Sequence, residues 1–260
     1  MILCISTKEL PIYSCIKQRL PRILIFIHIH KTAGGAIWRS FKDDFIEIGA
    51  WNDNYAPGKD PNNLPSGGIH HTAEMVRDFI GDPIWNDYFK FTIVRSPWGK
   101  KVGSYEHTRR DGSYGTPKNW GHGHYLNWLK TFKMARGPAG DYHDLNQFDW
   151  LTIDGKMSMD YVIRFEHFKE DWKEVVDILQ LPEPNELTWG GHPVDGFYQF
   201  PEAYGFQQSS VPLDYSKYYN EESREYVAER WEKDIEHFGF EFMTDNYNEN
   251  RVGLLNKKYE

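Results

Sequence analysis

Two stretches of this chain place cations where an apolar segment gives way to a helix. The first is "HKTAGGA" (residues 30–36), which follows the apolar run "ILIFIHI" (residues 23–29). A turn of this composition between strand and helix can cradle an anion. Backbone N–H groups at a helix start have no intrahelical partners, and the helix dipole reinforces them. Gly34 and Gly35 would let the backbone approach a ligand, Lys31 would add a mobile point charge, and Thr32 a hydroxyl donor. The same residues would also make a plain turn with Lys31 in solvent. Their order disfavours a Walker A loop, G-x-x-x-x-G-K-[ST], because here the lysine precedes the glycines.

The second stretch is "IVRSPWGKKVGSYEH" (residues 93–107). Arg95 leaves the end of a strand, and its planar fork suits a phosphate. Ser96 and Ser104 offer hydroxyls, and Lys100 and Lys101 add charge. Alone, this reads equally well as a surface arginine before a proline-started helix. Together, two strands that each end in a cation and then a helix make two anion sites on one sheet edge. Ligands of open α/β sheets bind at that edge, and a nucleoside with phosphates at both ends would fit.

Histidine is the usual general base near neutral pH. His70 and His71 stand just before a helix that leads to the second strand, and either could serve. Capping and metal binding are the plainer readings, but adjacent side chains rarely point the same way. His122 and His124 in "GHGHY" lack a matching cysteine or carboxylate set, so no metal is expected. His28 reads as a satisfied core residue. Glu166 would either orient a ligand or pair with Arg164. Trp120 and Trp128 flank a glycine-rich loop and are candidates for stacking on a sugar.

These residues need a scaffold. Strands are expected at residues 23–29 and 88–96 and within "MDYVIRFEHF", each rich in β-branched and aromatic residues. Helices are expected from Ala36, over "HTAEMVRDFIG" between a Thr72 cap and Gly81, over residues 98–109, and within "HYLNWLKTFKMA" and "KEDWKEVVDILQL". A last helix, capped by Asn220, runs through "EESREYVAERWEKDIEHFG" to Gly239. Residues 49–69, 110–120 and 183–216 read as irregular. The alternation predicts one α/β domain with a central parallel sheet flanked by helices.

A chain of 260 residues can bury a sizeable core, and its net charge of −8 argues against a general nucleic-acid binder. Cys4 and Cys15 are too few for a disulfide framework and fit a reducing compartment. Lys8, Glu9, Pro11 and Lys17 interrupt the apolar runs near the start, and no stretch reaches the ~20 residues of a membrane span. The chain therefore reads as soluble and cytoplasmic, without a signal peptide. Nothing in the sequence sets an oligomeric state.

"HIHKTAGG" and "VRSPWGKKVGSY" resemble two motifs of the sulfotransferases that use 3′-phosphoadenosine 5′-phosphosulfate (PAPS), most closely the carbohydrate-type branch with a "HIPKTAG" loop. The likeness extends through "HHTAEMVRDFIG", "QFDWLT", "DYVIRFEHFKEDWKEV" and "YSKYYNEESREYVAERWEKDIEHFGFEF". It implies a P-loop-NTPase-like sulfotransferase fold over residues 22–243, with an N-terminal extension (1–21) and a C-terminal tail (244–260). It also implies sulfuryl transfer from PAPS to a hydroxyl of a carbohydrate or related acceptor, with no metal. Lys31, Thr32, Ala33, Gly34, Gly35, Ala36 and Ile37 would hold the 5′-phosphosulfate. Arg95, with Ser96 or Ser104, would hold the 3′-phosphate. Lys31 would act on the leaving phosphate, and His70, or its neighbour His71, would be the base. Three positions depart from the family: His30 replaces the loop proline, Gly103 a serine, and Lys100 an arginine. A nucleotide-dependent kinase and a nucleotide- or glycan-binding protein with a decayed site are the alternative readings.

Overall fold

The structure, a computed structural model, describes residues 2–3, 24–34, 70–133, 145–179 and 215–259. Gly35, Ala36, Ile37, the helix expected from Ala36, the loop at 49–69, most of 183–216 and both cysteines lie outside the described residues.

In chain order the elements are β1 (Ile2–Leu3), β2 (Leu24–Ile27), α1 (Ala73–Ile80), α2 (Asp82–Asp87), β3 (Phe89–Val94), α3 (Pro97–Asp111) and α4 (Tyr125–Thr131). They continue as α5 (Gln147–Leu151), β4 (Thr152–Ile153), β5 (Lys156–Met157), β6 (Tyr161–Arg164), α6 (Phe168–Leu179), α7 (Glu221–Arg230), α8 (Glu232–Phe238) and β7 (Gly253–Leu254). One five-stranded sheet runs in the order β1-β2-β3-β6-β7, and β4 and β5 make a separate hairpin.

The sheet is mixed. Its core, β2-β3-β6, is parallel, as the alternation predicted, but β1 and β7 pair antiparallel to their neighbours at the two edges. These two-residue edge strands lie in the segments read as an extension and a tail. Their shortness and antiparallel sense left no periodic signal in the sequence.

The central strands are continuous apolar runs because both faces of the sheet are covered. Leu24, Phe26, Phe91, Ile93 and Ile163 face Phe168, Trp172, Val175 and Leu179 of α6. Ile25, Ile27, Val94 and Val162 face a larger core that includes Val102 and Tyr105 of α3, Trp150, Val227 and Trp231. One buried ion pair interrupts this second face. Lys90 Nζ lies 2.7 Å from Asp160 Oδ2 and also donates to the Trp85 and Tyr88 carbonyls.

Local chemistry sets the helix ends. Thr72 caps α1 by accepting from the Met75 N–H at 3.3 Å, and Gly81 closes it at φ 83. Pro97 starts α3 where a missing N–H costs nothing. Asn220 and Ser223 form a reciprocal cap on α7. The single C-terminal helix expected from the sequence is two helices, broken at Trp231, whose φ and ψ of −119° and 34° leave the helical range. The short helix α2 was not anticipated.

Among the described residues, no helix is long and apolar enough to cross a membrane.

Candidate active site

The parallel core brings three strand ends to one edge. Ile27 pairs with Thr92, and Thr92 Oγ1 donates to the Ile27 carbonyl at 2.9 Å, fixing β2 against β3. Val94 pairs with Arg164. The loop at 28–34, Arg95 and the Phe165–His167 turn therefore leave the sheet side by side.

The first loop is held in a demanding conformation. Lys31 and Ala33 have φ of 63° and 67°, the left-handed region that non-glycine residues rarely enter. Such conformations persist where surrounding contacts over-determine them, and they cluster at functional sites. Two contacts do this here. Thr32 Oγ1 donates to the Ile29 carbonyl at 2.7 Å, and Arg95 Nη1 donates to the Lys31 carbonyl at 3.3 Å. Thr32 is fully buried. Its hydroxyl thus braces the loop from within.

Arg95 is deeply buried and fixed on several sides. Its backbone N–H donates to Gln147 Oε1 at 3.0 Å, and its carbonyl accepts from Gln147 Nε2 at 2.8 Å. Its guanidinium lies 4.0 Å from the centre of the Phe165 ring. It rests against a glycine groove on α3. A Cβ added at Gly99 would meet Arg95 Nε at 3.3 Å, and one at Gly103 would meet Arg95 Nη1 at 3.1 Å and Lys31 Cε at 4.0 Å. Gly103, the residue that departs from the family serine, is thus where the two cations converge.

The remaining candidates divide. Ser96 Oγ is 3.4 Å from the Tyr215 hydroxyl. Ser104 Oγ donates to the Lys100 carbonyl at 3.1 Å and lies 3.5 Å from His30 Nε2. His30 therefore fills space between Ser104 and His70, whose ring centre is 6.1 Å away. Lys100 and Lys101, expected to add charge at the mouth, are both buried. Lys101 Nζ sits 3.7 Å over the Trp231 ring. Burial pushes Lys100 down to about 8, against the opposing charge of Asp234.

His70 and His71 also separate. His70 is partly buried, and its Nδ1 is 3.0 Å from the His28 carbonyl. A carbonyl only accepts, so Nδ1 carries the proton and Nε2 is left with the lone pair. Burial pulls His70 down to about 4, partly offset by that hydrogen bond. His71 is buried, and its carbonyl accepts from Trp150 Nε1 at 2.9 Å.

Several expectations change. Arg164 pairs with Asp171, at 2.6 Å, and not with Glu166. Glu166 accepts the Tyr247 hydroxyl, and burial raises its carboxyl despite that bond and the nearby Arg95 charge. Trp128 is core, its Nε1 donating to Thr116 Oγ1 at 3.1 Å. Trp120 stays partly exposed and stacks on His124 at 5.2 Å. Among the described residues, no group of three or more His, Cys, Asp or Glu could hold a metal ion. Gln147 and Phe165, which fix Arg95, escaped sequence reasoning. Both lie in stretches that resemble the family, "QFDWLT" and "DYVIRFEHFKEDWKEV", but neither residue type by itself points to a contact with Arg95.

Fold and site define an α/β protein in which two cationic residues, Lys31 and Arg95, meet at the edge of a parallel sheet core. The family model described as the sulfotransferase family matches residues 22–241, most of the chain. The chain belongs to that family. No curated protein and no solved structure gave a match.

Proposed function

We propose that this protein moves a sulfuryl group from PAPS to a hydroxyl of a carbohydrate or related acceptor, on a P-loop-NTPase-like sulfotransferase domain spanning residues 22–243, in the carbohydrate-type branch. The observation that carries the reading is the convergence of Lys31 and Arg95 over Gly103, with one cation's donor bonded to the other's backbone. Two positive side chains held together at a strand edge suit a ligand with two anionic groups.

When bound, the donor supplies an activated sulfuryl group. Its sulfur passes from the 5′-phosphate oxygen to the acceptor oxygen, and the bisphosphate leaves with the negative charge. The protein's own contribution is placement and charge. Lys31, with the backbone N–H groups of Thr32, Ala33 and Gly34, holds the 5′ end and stabilises the leaving phosphate. Gly35, Ala36 and Ile37 are assigned to the same cradle from the family resemblance. Arg95 holds the 3′-phosphate. Ser104, beside the first loop, is a better hydroxyl partner than Ser96, which is turned toward Tyr215.

His70 is the base. Its Nδ1–H is anchored, so Nε2 is free to take the acceptor proton, and its lowered proton affinity keeps it neutral at physiological pH. A bound anion beside it would raise that affinity as the reaction proceeds. Trp120, partly exposed, takes the expected sugar-stacking role.

Transfer of radiolabelled sulfate from PAPS to a panel of sugars tests the reading. Label on one or more sugars, lost on Lys31→Ala, supports it. Binding of the bisphosphate without transfer to any acceptor would favour a decayed binding protein.

A further inference from the structure

His28 does more than fill the core. It sits just past the end of β2, buried, and its Nδ1 has no hydrogen-bond partner among the described residues. A buried imidazole nitrogen without a partner is costly, so the site must gain something from a ring that an apolar residue would not give. Three contacts show what the ring and its backbone touch.

The first is Gly34. A Cβ there would lie 2.1 Å from Cδ2 and 2.2 Å from Nε2 of the His28 ring. The ring therefore lies flush beneath the loop backbone, and Gly34 is required by that contact rather than by its own dihedral angles. The second is the His28 carbonyl, which accepts the Nδ1–H of His70 at 3.0 Å. The third is the ring of His70, whose centre is 4.4 Å from that of His28 at a tilt of 53°.

We infer that His28 is a positioning residue, whose ring is a wedge that sets the height of the anion loop at Gly34 and the orientation of the His70 ring, while its backbone carbonyl sets the His70 tautomer. Donor loop and base would then be placed by one residue, so that neither can shift without the other. This extends the family resemblance, which assigns no role to this histidine here, and it rests on reading residues 31–34 as the donor loop and His70 as the base. Burial and the neighbouring His70 hold His28 neutral, as a packing wedge requires. Lys31 and the ring of His30 also face this cluster.

A double-mutant cycle tests it with Gly34→Ala and His28→Ala, singly and together, in the full chain. Two readouts are used: calorimetric affinity for adenosine 3′,5′-bisphosphate and the imidazole nitrogen resonances of His70. With His28 present, Gly34→Ala should weaken bisphosphate binding roughly tenfold or more through overpacking. In the His28→Ala background it should cost almost nothing, because the ring it strikes is gone. The double variant should regain affinity while the His70 resonances stay broadened, since the His70 ring has lost its support. His70 should show one tautomer throughout, set by the backbone carbonyl of residue 28, but its ring resonances should broaden once the His28 ring is removed.

An equal cost of Gly34→Ala in both backgrounds, or His70 ring resonances as sharp in His28→Ala as in the wild type, would overturn the role. If His28→Ala fails to fold, His28→Val, which keeps apolar volume without a ring, takes its place. A wild-type chain that binds no bisphosphate would sink the donor reading. The cycle scored on the His70 resonances would still decide the role of His28.

Discussion

Acidification should remove stability through the buried imidazoles His28 and His70, and the His70 share can be isolated. Burial lowers His70 from 6.5 to about 4 in the folded chain. Between those values the unfolded chain binds a proton that the folded chain refuses. The contribution of neutral His70 is therefore intact above about pH 6.5, falls as pH drops through that window, and levels off below about pH 4. One pH unit of difference is worth about 1.4 kcal/mol, so the full window holds roughly 3 kcal/mol, and the partial exposure of the ring reduces it to roughly 2. Urea unfolding at pH 7, 5.5 and 4.5 would measure this in the wild type and in His70→Gln. The wild type should lose roughly 2 kcal/mol more than the variant between pH 7 and 4.5. Parallel losses in the two proteins would refute the reasoning, because they would show that His70 is not held neutral by the fold. His28, lowered mainly by burial, remains in both proteins, so its burial effect cancels in the comparison and only the part due to the neighbouring His70 is counted with His70.

Three further outcomes follow from the same geometry. Lys31→Ala should lower kcat about 100- to 1000-fold, the usual loss for one transition-state charge contact, with the urea midpoint nearly unchanged. Gly103→Val should weaken bisphosphate binding measured by calorimetry, because its side chain enters the space where Arg95 Nη1 and Lys31 Cε meet; unchanged affinity would remove the shared-site argument. Asp160→Ala should destabilise the chain by about 3–5 kcal/mol in urea unfolding. It strands Lys90 in the core and also removes acceptors for the Lys90 N–H and Asn256.

Much of this scaffold was legible in the sequence because the physics is local. Strands β2 and β3 announce themselves as continuous apolar runs, since both faces are covered. Thr72, Pro97 and Asn220 mark helix starts by groups they supply or lack. What escaped depends on contacts far apart in the chain. The two-residue strands β1 and β7 carry no period of their own. The break at Trp231 falls in a sequence with uniform helical character, where a ring buried beneath Lys101 prevails over propensity. At the site, residue types pointed to Lys31 and Arg95, but not to their meeting over Gly103. His28 read as a satisfied core residue until its ring proved to lie beneath Gly34 with an unmatched nitrogen. His30, an oddity in the motif, proved to be a packing partner of Ser104 and His70.

The central claim is that the edge formed by Lys31 and Arg95 holds a nucleoside with phosphates at both its 3′ and 5′ positions. Calorimetric titration of the full chain with adenosine 3′,5′-bisphosphate, set beside ATP with Mg²⁺, tests it most directly. The geometry predicts saturable binding of the bisphosphate that is lost in Arg95→Ala and Lys31→Ala, with ATP and Mg²⁺ binding much more weakly. Tighter binding of ATP with Mg²⁺, or bisphosphate binding indifferent to both substitutions, would contradict it.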